Sequence, residues 1–278
     1  MLERIRNFLG TKNNMSFLDH LEALRWHIIR SVIVLCIITG VMFFFNDFVF
    51  NVILFGPTKP SFLTYRALCH LSRMLNLGGD LCMDQVNITL INTVMAGQLM
   101  MSIWGTFVAA LILTIPYILW ELWRFIKPAM KEKELKSARG FVVVSSLLFL
   151  MGVCFSYYIV VPWTVSFLSR FQMSGTIVKN YIDVRSYISM VTTLVFWSGV
   201  IFELPVVSYI LTNIGLISPS FLKKYRRHAA VVILIVAALI APPDVASQVI
   251  VSIPLFILFE VSILVSKYAE RKKKIKTS

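Results

Sequence analysis

A lone carboxylate stands in V-I-F-E-L-P-V-V at positions 200–207. An ionisable group inside an apolar run is expensive in lipid, so it marks a helix contact, a groove or an ion pathway. Pro205 follows Glu203 by two residues and removes a backbone donor, which favours a kink. Glu203 is expected to be an uncharged carboxyl that donates a hydrogen bond to a partner helix. A second reading is that it merely satisfies the kinked backbone. Two further acidic groups lie among bases. In MSFLDHLEALR (15–25), Ser16 and Asp19 fit a capping box. Phe17, Leu21, Leu24 and Ile28 share one helical face, and Asp19, Glu22 and Ala23 cluster opposite it. Glu132 and Glu134 sit among Lys131, Lys133 and Lys136. Both groups fit a solvated surface. Both also fit a carboxylate aimed at a cationic ligand, because a carboxylate accepts two parallel N–H bonds from a guanidinium.

Other chemistry is sparse. Cys69 and Cys82 share the segment 47–100, where an oxidising side would allow a disulfide, whereas Cys36 and Cys154 fall in apolar runs. No Cys/His set has zinc spacing, and no phosphate loop or nucleophile constellation stands out. The chain is therefore expected to hold no metal or cofactor and to catalyse nothing.

The elements that must position these groups are membrane spans. The chain has 278 residues, 58% of them hydrophobic, and a mean hydropathy of +0.78. Six apolar runs approach the roughly 20 residues that cross a bilayer: about 27–46, 101–122, 139–161, 187–214, 229–241 and 246–266. The first residues carry no cleavable signal pattern. The net charge of +13 is distributed between the runs, so it points to membrane orientation rather than nucleic acid. One set of connections carries 20 Lys and Arg and the other six, which places both termini in the cytoplasm. The expected layout is all-α and single-domain over 1–278. It has a surface helix at 15–26 lying along the interface, an outer loop at 47–100 and a basic cytoplasmic tail at 267–278. The fifth run is only 13 residues, about 20 Å as a helix against about 30 Å of hydrocarbon. Trp120 and Trp123 suit the interfacial belt.

HLEALR (20–25), IPYILWELWRFIKPAMKEKE (115–134), FELP (202–205), APPDVASQ (241–248) and FE (259–260) occur in this order. Together they resemble the TatC family, the receptor component of the twin-arginine protein translocase, over nearly the whole chain. The resemblance implies a curved, wall-like bundle of six helices with short helices 5 and 6, N-in and C-in, in the bacterial cytoplasmic (inner) membrane. It implies binding of the twin-arginine signal peptides of folded precursors and recruitment of single-span partners of the TatA/TatB type. It also implies assembly into a complex with further copies, and transport driven by the proton-motive force.

The family's peptide site maps to the HLEALR helix with Asp19, Glu22 and Arg25, to Phe125 and to Glu134. The usual H-L-x-E-L-R pattern is broken here. Ala23 replaces its glutamate, Glu22 comes one residue earlier, and His27 replaces the next family base. Asp19 and Glu22 are the candidate substitutes, and Glu134 is the safer assignment. Glu203, Pro205, Asp244, Gln248 and Glu260 form an intramembrane or near-membrane polar set. Of these, Glu203 and Gln248 resemble positions that contact partner helices, while Glu260 fits internal hydrogen bonding equally well. Ala241 stands where the family often has threonine. The alternative function from another class is an ion-coupled small-molecule transporter with Glu203 as the coupling site. The chain shows no internal repeat of the kind many such transporters have.

Overall fold

The computed structural model describes residues 17–74, 89–127, 140–170, 181–240 and 245–277. The expected all-α class holds. Helix α1 spans Phe17–Phe44, α2 Leu63–Met74 and α3 Gly97–Ile126. Helix α4 spans Phe141–Phe155 and continues through a π turn, Ser156–Val160, into α5, Val161–Arg170. Then come α6, Val184–Phe202; α7, Leu204–Ile214; α8, Pro219–Lys224; α9, Arg226–Ile240; and α10, Val245–Thr277. Five segments are long and apolar enough to cross a membrane: Glu22–Phe44, Gly97–Ile126, Phe141–Ser169, Val184–Ile214 and Gln248–Lys272. The remaining apolar helix, α9, has 15 residues, about 22 Å of rise.

Two boundaries differ from the sequence reading. The surface helix expected at 15–26 and the first span form one helix, Phe17–Phe44. No proline interrupts this stretch, and its first glycine is Gly40, so nothing local stops the helix between Glu22 and the apolar run. The basic tail likewise continues α10 as helix to Thr277. At the other end of α6 the chain does break. The Glu203 N–H bonds back three residues to the Val200 carbonyl at 3.1 Å, and α7 begins with Pro205 in its first turn. Proline is tolerated there because first-turn N–H groups have no helical partner. Gly215, at φ 89°, ends α7 in the left-handed conformation.

Helix α1 packs on α3, α4 on α6, α3 on α6, and α7 and α9 on α10. The α4–α6 crossing is reciprocal. A Cβ on Gly152 would lie 2.7 Å from Phe202 Cγ and 2.8 Å from the Ser198 carbonyl oxygen, and one on Gly199 would lie 2.6 Å from the Phe149 ring. Each helix thus uses a glycine to admit the other's phenylalanine, the close approach that small residues permit in membranes. Small polar groups join the spans elsewhere. Asn46 Nδ2 donates to Ser102 Oγ at 2.9 Å, Thr106 Oγ1 donates to Asn46 Oδ1 at 3.2 Å, and Trp104 Nε1 donates to Thr192 Oγ1 at 3.2 Å. Thr212 and Ser266 share a hydroxyl bond of 2.7 Å.

The connections after α1 and before α6 form a cap at one end of the bundle. Tyr187 donates to the Leu54 carbonyl and Tyr65 to that of Pro57, each at 2.8 Å. Strands β1, Leu90–Ile91, and β2, Ile182–Asp183, pair in parallel. Thr93 Oγ1 donates to Asp183 at 2.5 Å, and the Arg185 N–H donates to it at 2.7 Å. The Thr93 bond, followed by that from Arg185, holds the Asp183 carboxyl below its ordinary value of 3.8. A lowered folded value stabilises above the unfolded value and is lost as pH falls through the folded one.

The α4–α6 contact predicts that Gly152→Ala lowers thermal stability in detergent, because overpacking costs about 1–3 kcal/mol. Gly40→Ala, where a Cβ meets nothing within 4 Å, is expected to leave the melting temperature at or above that of the native chain. Equal melting of the two variants would contradict the packing account.

Candidate functional site

The end of α3 meets the beginning of α1 around one buried acid. Glu121 is only 1% exposed. Its Oε2 pairs with His27 Nδ1 from α1. Its Oε1 accepts from the Tyr117 hydroxyl at 3.1 Å and from Arg124 Nη1 at 3.3 Å. The His27 ring meets Phe125 edge-on with centroids 6.2 Å apart, and the Arg124 guanidinium lies 4.9 Å over the Trp120 ring. On the far side Trp123 stacks on Phe141 at 4.4 Å, which ties the same turn to α4. One carboxylate thus accepts from three groups, and the turn that carries it is held between two helices.

Around this centre the structure exposes Glu22, Arg25 and Arg124 and half-buries Ala23 and Phe125. It brings the α1 start and Phe125 to one place through the His27 contact. Asp19 belongs to α1, with its side chain outside the described set, and Glu134 lies outside the described residues altogether. Sequence reading passes over Glu121, because a glutamate between tryptophans looks interfacial. Its signal was the spacing Tyr117-x-x-x-Glu121-x-x-Arg124, which stacks three polar groups on one helical face. The partner His27, 94 positions away, had no local signal.

Glu203 occupies the break between α6 and α7. The Ser145 hydroxyl of α4 donates to its Oε2 at 2.5 Å. Its Oε1 is buried with no hydrogen-bond partner among the described residues. Pro205 is buried in the first turn of α7. The carboxyl therefore keeps one oxygen engaged and, among the described residues, one without a hydrogen bond. Gln248 Nε2 donates to the Leu234 carbonyl at 3.2 Å, which links α10 to α9. Glu260 binds Arg226 of α9 through two guanidinium nitrogens. Asp244 lies outside the described residues. These residues do not converge on one pocket. Glu203 faces α4, whereas Gln248 and Glu260 bridge α9 and α10 at different heights.

Cys69 in the cap is disulfide-bonded, and Cys36 and Cys154 in the spans are free thiols; Cys82 lies outside the described residues. Among the described residues, no group of three His, Cys, Asp or Glu side chains is placed to hold a metal ion.

Comparison with known proteins accounts for this arrangement. A family profile described as Sec-independent protein translocase protein (TatC) matches residues 19–254. A protein of that name from Blattabacterium sp. subsp. Periplaneta americana is 38% identical over 263 residues, covering 94% of this chain and 98% of the relative. That of Aquifex aeolicus is 33% identical over 260 residues, again 94% and 98%. A crystal structure titled as the twin arginine translocase receptor TatC superposes with a TM-score of 0.69 at 32% identity, covering 90% of this chain and 99% of that one. Nothing in these matches favours a small-molecule transporter. With its polytopic all-helical fold and a match across most of its length, the chain belongs to the TatC family of Sec-independent protein translocase proteins.

Proposed function

We propose that this chain is the signal-peptide receptor core of a twin-arginine translocase. It exports folded proteins across the bacterial cytoplasmic membrane with TatA/TatB-type single-span partners and the proton-motive force, in a complex holding further copies of itself. The carrying observation is the likeness to a solved twin-arginine translocase receptor over 90% of the chain. The chain crosses the membrane six times as one domain, with the thin α9 as the fifth crossing. Both termini are cytoplasmic, as the bias of 20 bases to six supports. Cys69 pairs with Cys82 on the outer side.

The peptide's arginines meet carboxylates at the α1 start and in the segment after α3. Glu134 is the principal acceptor, with Glu22 and Asp19 standing in for the glutamate that Ala23 replaces; Arg25 and Phe125 border the site. The exposure of Glu22 and Arg25 supports this reading. Glu121 and His27 act indirectly. By clamping α1 to α3 they set the distance between the two acidic segments. Glu203 is an uncharged carboxyl that donates a hydrogen bond to a partner's transmembrane helix from the oxygen Ser145 leaves unengaged, with Pro205 shaping the break. Gln248 and Asp244 extend that partner surface around the thin fifth crossing, and Glu260 maintains the α9–α10 geometry through Arg226.

Crosslinking to an Arg-Arg signal peptide is expected, with loss against a Lys-Lys control, since lysine offers a point charge in place of a planar fork. Glu134→Gln weakens that binding, and the triple variant with Glu22→Gln and Asp19→Asn abolishes it. Binding unchanged in the triple variant would sink the site assignment.

For the clamp, Glu121→Ala strands His27, Tyr117 and Arg124 and is expected to lower stability by about 1–3 kcal/mol, with weaker peptide binding. Glu121→Gln should recover part of both, as read by melting and by peptide affinity. For the break, Glu203→Gln is expected to retain most transport and Glu203→Ala to lose it. Equal loss in both would instead identify a required charge or proton transfer at this position.

A further inference from the structure

The regular ladder of α4 ends at Ser156. The Ser156 N–H is shared between the carbonyls of Gly152 and Val153, and the Val161 N–H reaches back five residues to the Ser156 carbonyl. Such π turns are rare inside helices and are found most often at functional sites. Ser156 is 1% exposed, and its hydroxyl is buried without a hydrogen-bond partner among the described residues. A serine in a regular helix can bond to the carbonyl four residues back, as Ser262 does to that of Leu258 at 2.8 Å. Ser156 makes no such bond.

A cavity of about 10 Å³ lies against this residue, where the π turn, α6 and α10 meet. Ser156 lines it from the π turn, Ser198 and Phe202 from α6, and Val251 and Leu255 from α10. The volume is about what a single water needs, and cavities that stay dry are apolar throughout. This one carries two hydroxyl groups, each able to donate and to accept. Within a membrane span no bulk water is at hand to satisfy the buried one.

We infer that this cavity is a binding site for one water molecule, held between the Ser156 hydroxyl and the Ser198 hydroxyl. The water accepts from Ser156 and donates to Ser198, which is nearly as good as a direct bond between the two. It joins the π turn to α6 about one turn beyond the Gly152–Phe202 contact. Val251 and Leu255, 6% and 3% exposed, cover the site from α10. The water thus fills the junction on which α10 rests against the α4–α6 pair. Glu203 stands apart from this site, because its partner Ser145 lies about three turns from Ser156 along α4.

The test is pulsed radiolytic labelling of the full-length chain in detergent, read residue by residue by mass spectrometry. Hydroxyl radicals form from water, so a buried side chain is labelled where water sits against it. Phe202, buried and lining the cavity, is expected to take up label. Phe149, buried in the same helix contact without lining the cavity, is not. After rapid transfer to heavy-oxygen water, label at Phe202 should turn heavy later than label at the exposed Met95. Ser156→Ala and Ser198→Ala should each bring Phe202 down to the level of Phe149. Ser262→Ala, which removes a hydroxyl bonded within its own helix, should leave Phe202 as in the native chain. If Ser156→Ala does not elute as a single species, Ser198→Ala carries the same comparison. Three results would each overturn the site: no label at Phe202 in the native chain, heavy label there as early as at Met95, or labelling unchanged in the alanine variants.

Discussion

Lipid gives helices little hydrophobic reason to associate, because acyl chains are as apolar as leucine; association rests on close packing and on polar groups that need partners. Much of the internal organisation of this protein follows from that constraint. Helices α1 and α3 are joined by His27 and Glu121, α4 and α6 by the paired glycines, and α7 and α10 by Thr212 and Ser266. The residues between these ties are largely interchangeable apolar side chains. Many of them, such as Ile33, Ile37 and Phe44 on α1, are more than half exposed on the outer surface of the bundle.

The same constraint makes helix breaks informative. A backbone interrupted in hydrocarbon must be satisfied nearby. The interruption at Glu203 is closed by a bond three residues back, by the Glu203 carbonyl accepting from Val206 and Val207, and by a proline where no donor is needed. The carboxyl beside it receives Ser145 and, among the described residues, holds a second oxygen without a partner. A break of this kind is stable enough to persist and unsaturated enough to attract a partner.

Charge is distributed differently at the surfaces. At the α1–α3 end Glu121 is buried and fully engaged while the neighbouring Glu22, Arg25 and Arg124 remain exposed. At the α8–α10 end Arg226 of α9 and Glu260 of α10 pair at an exposed position. Both lie at helix ends, where low-dielectric packing gives way to water and charged groups keep much of their hydration.

The all-helical membrane class was legible in the sequence because apolar run length measured against bilayer thickness is a local property. So was the weak point at Glu203–Pro205, since proline acts on its own backbone. The specific order of HLEALR, FELP and APPDVASQ carried the family. Pairings across the fold were not legible. His27 with Glu121, Gly152 with Phe202 and Arg226 with Glu260 are separated by 94, 50 and 34 positions, and no periodicity within either partner's helix encodes the other. The continuity of the 15–26 segment with the first span also escaped the sequence. Amphipathic patterning locates a polar face but not the point at which a helix turns into the membrane. Tertiary structure decided these features because they depend on which helix faces meet, and in lipid that choice rests on a few polar and small residues rather than on the apolar majority.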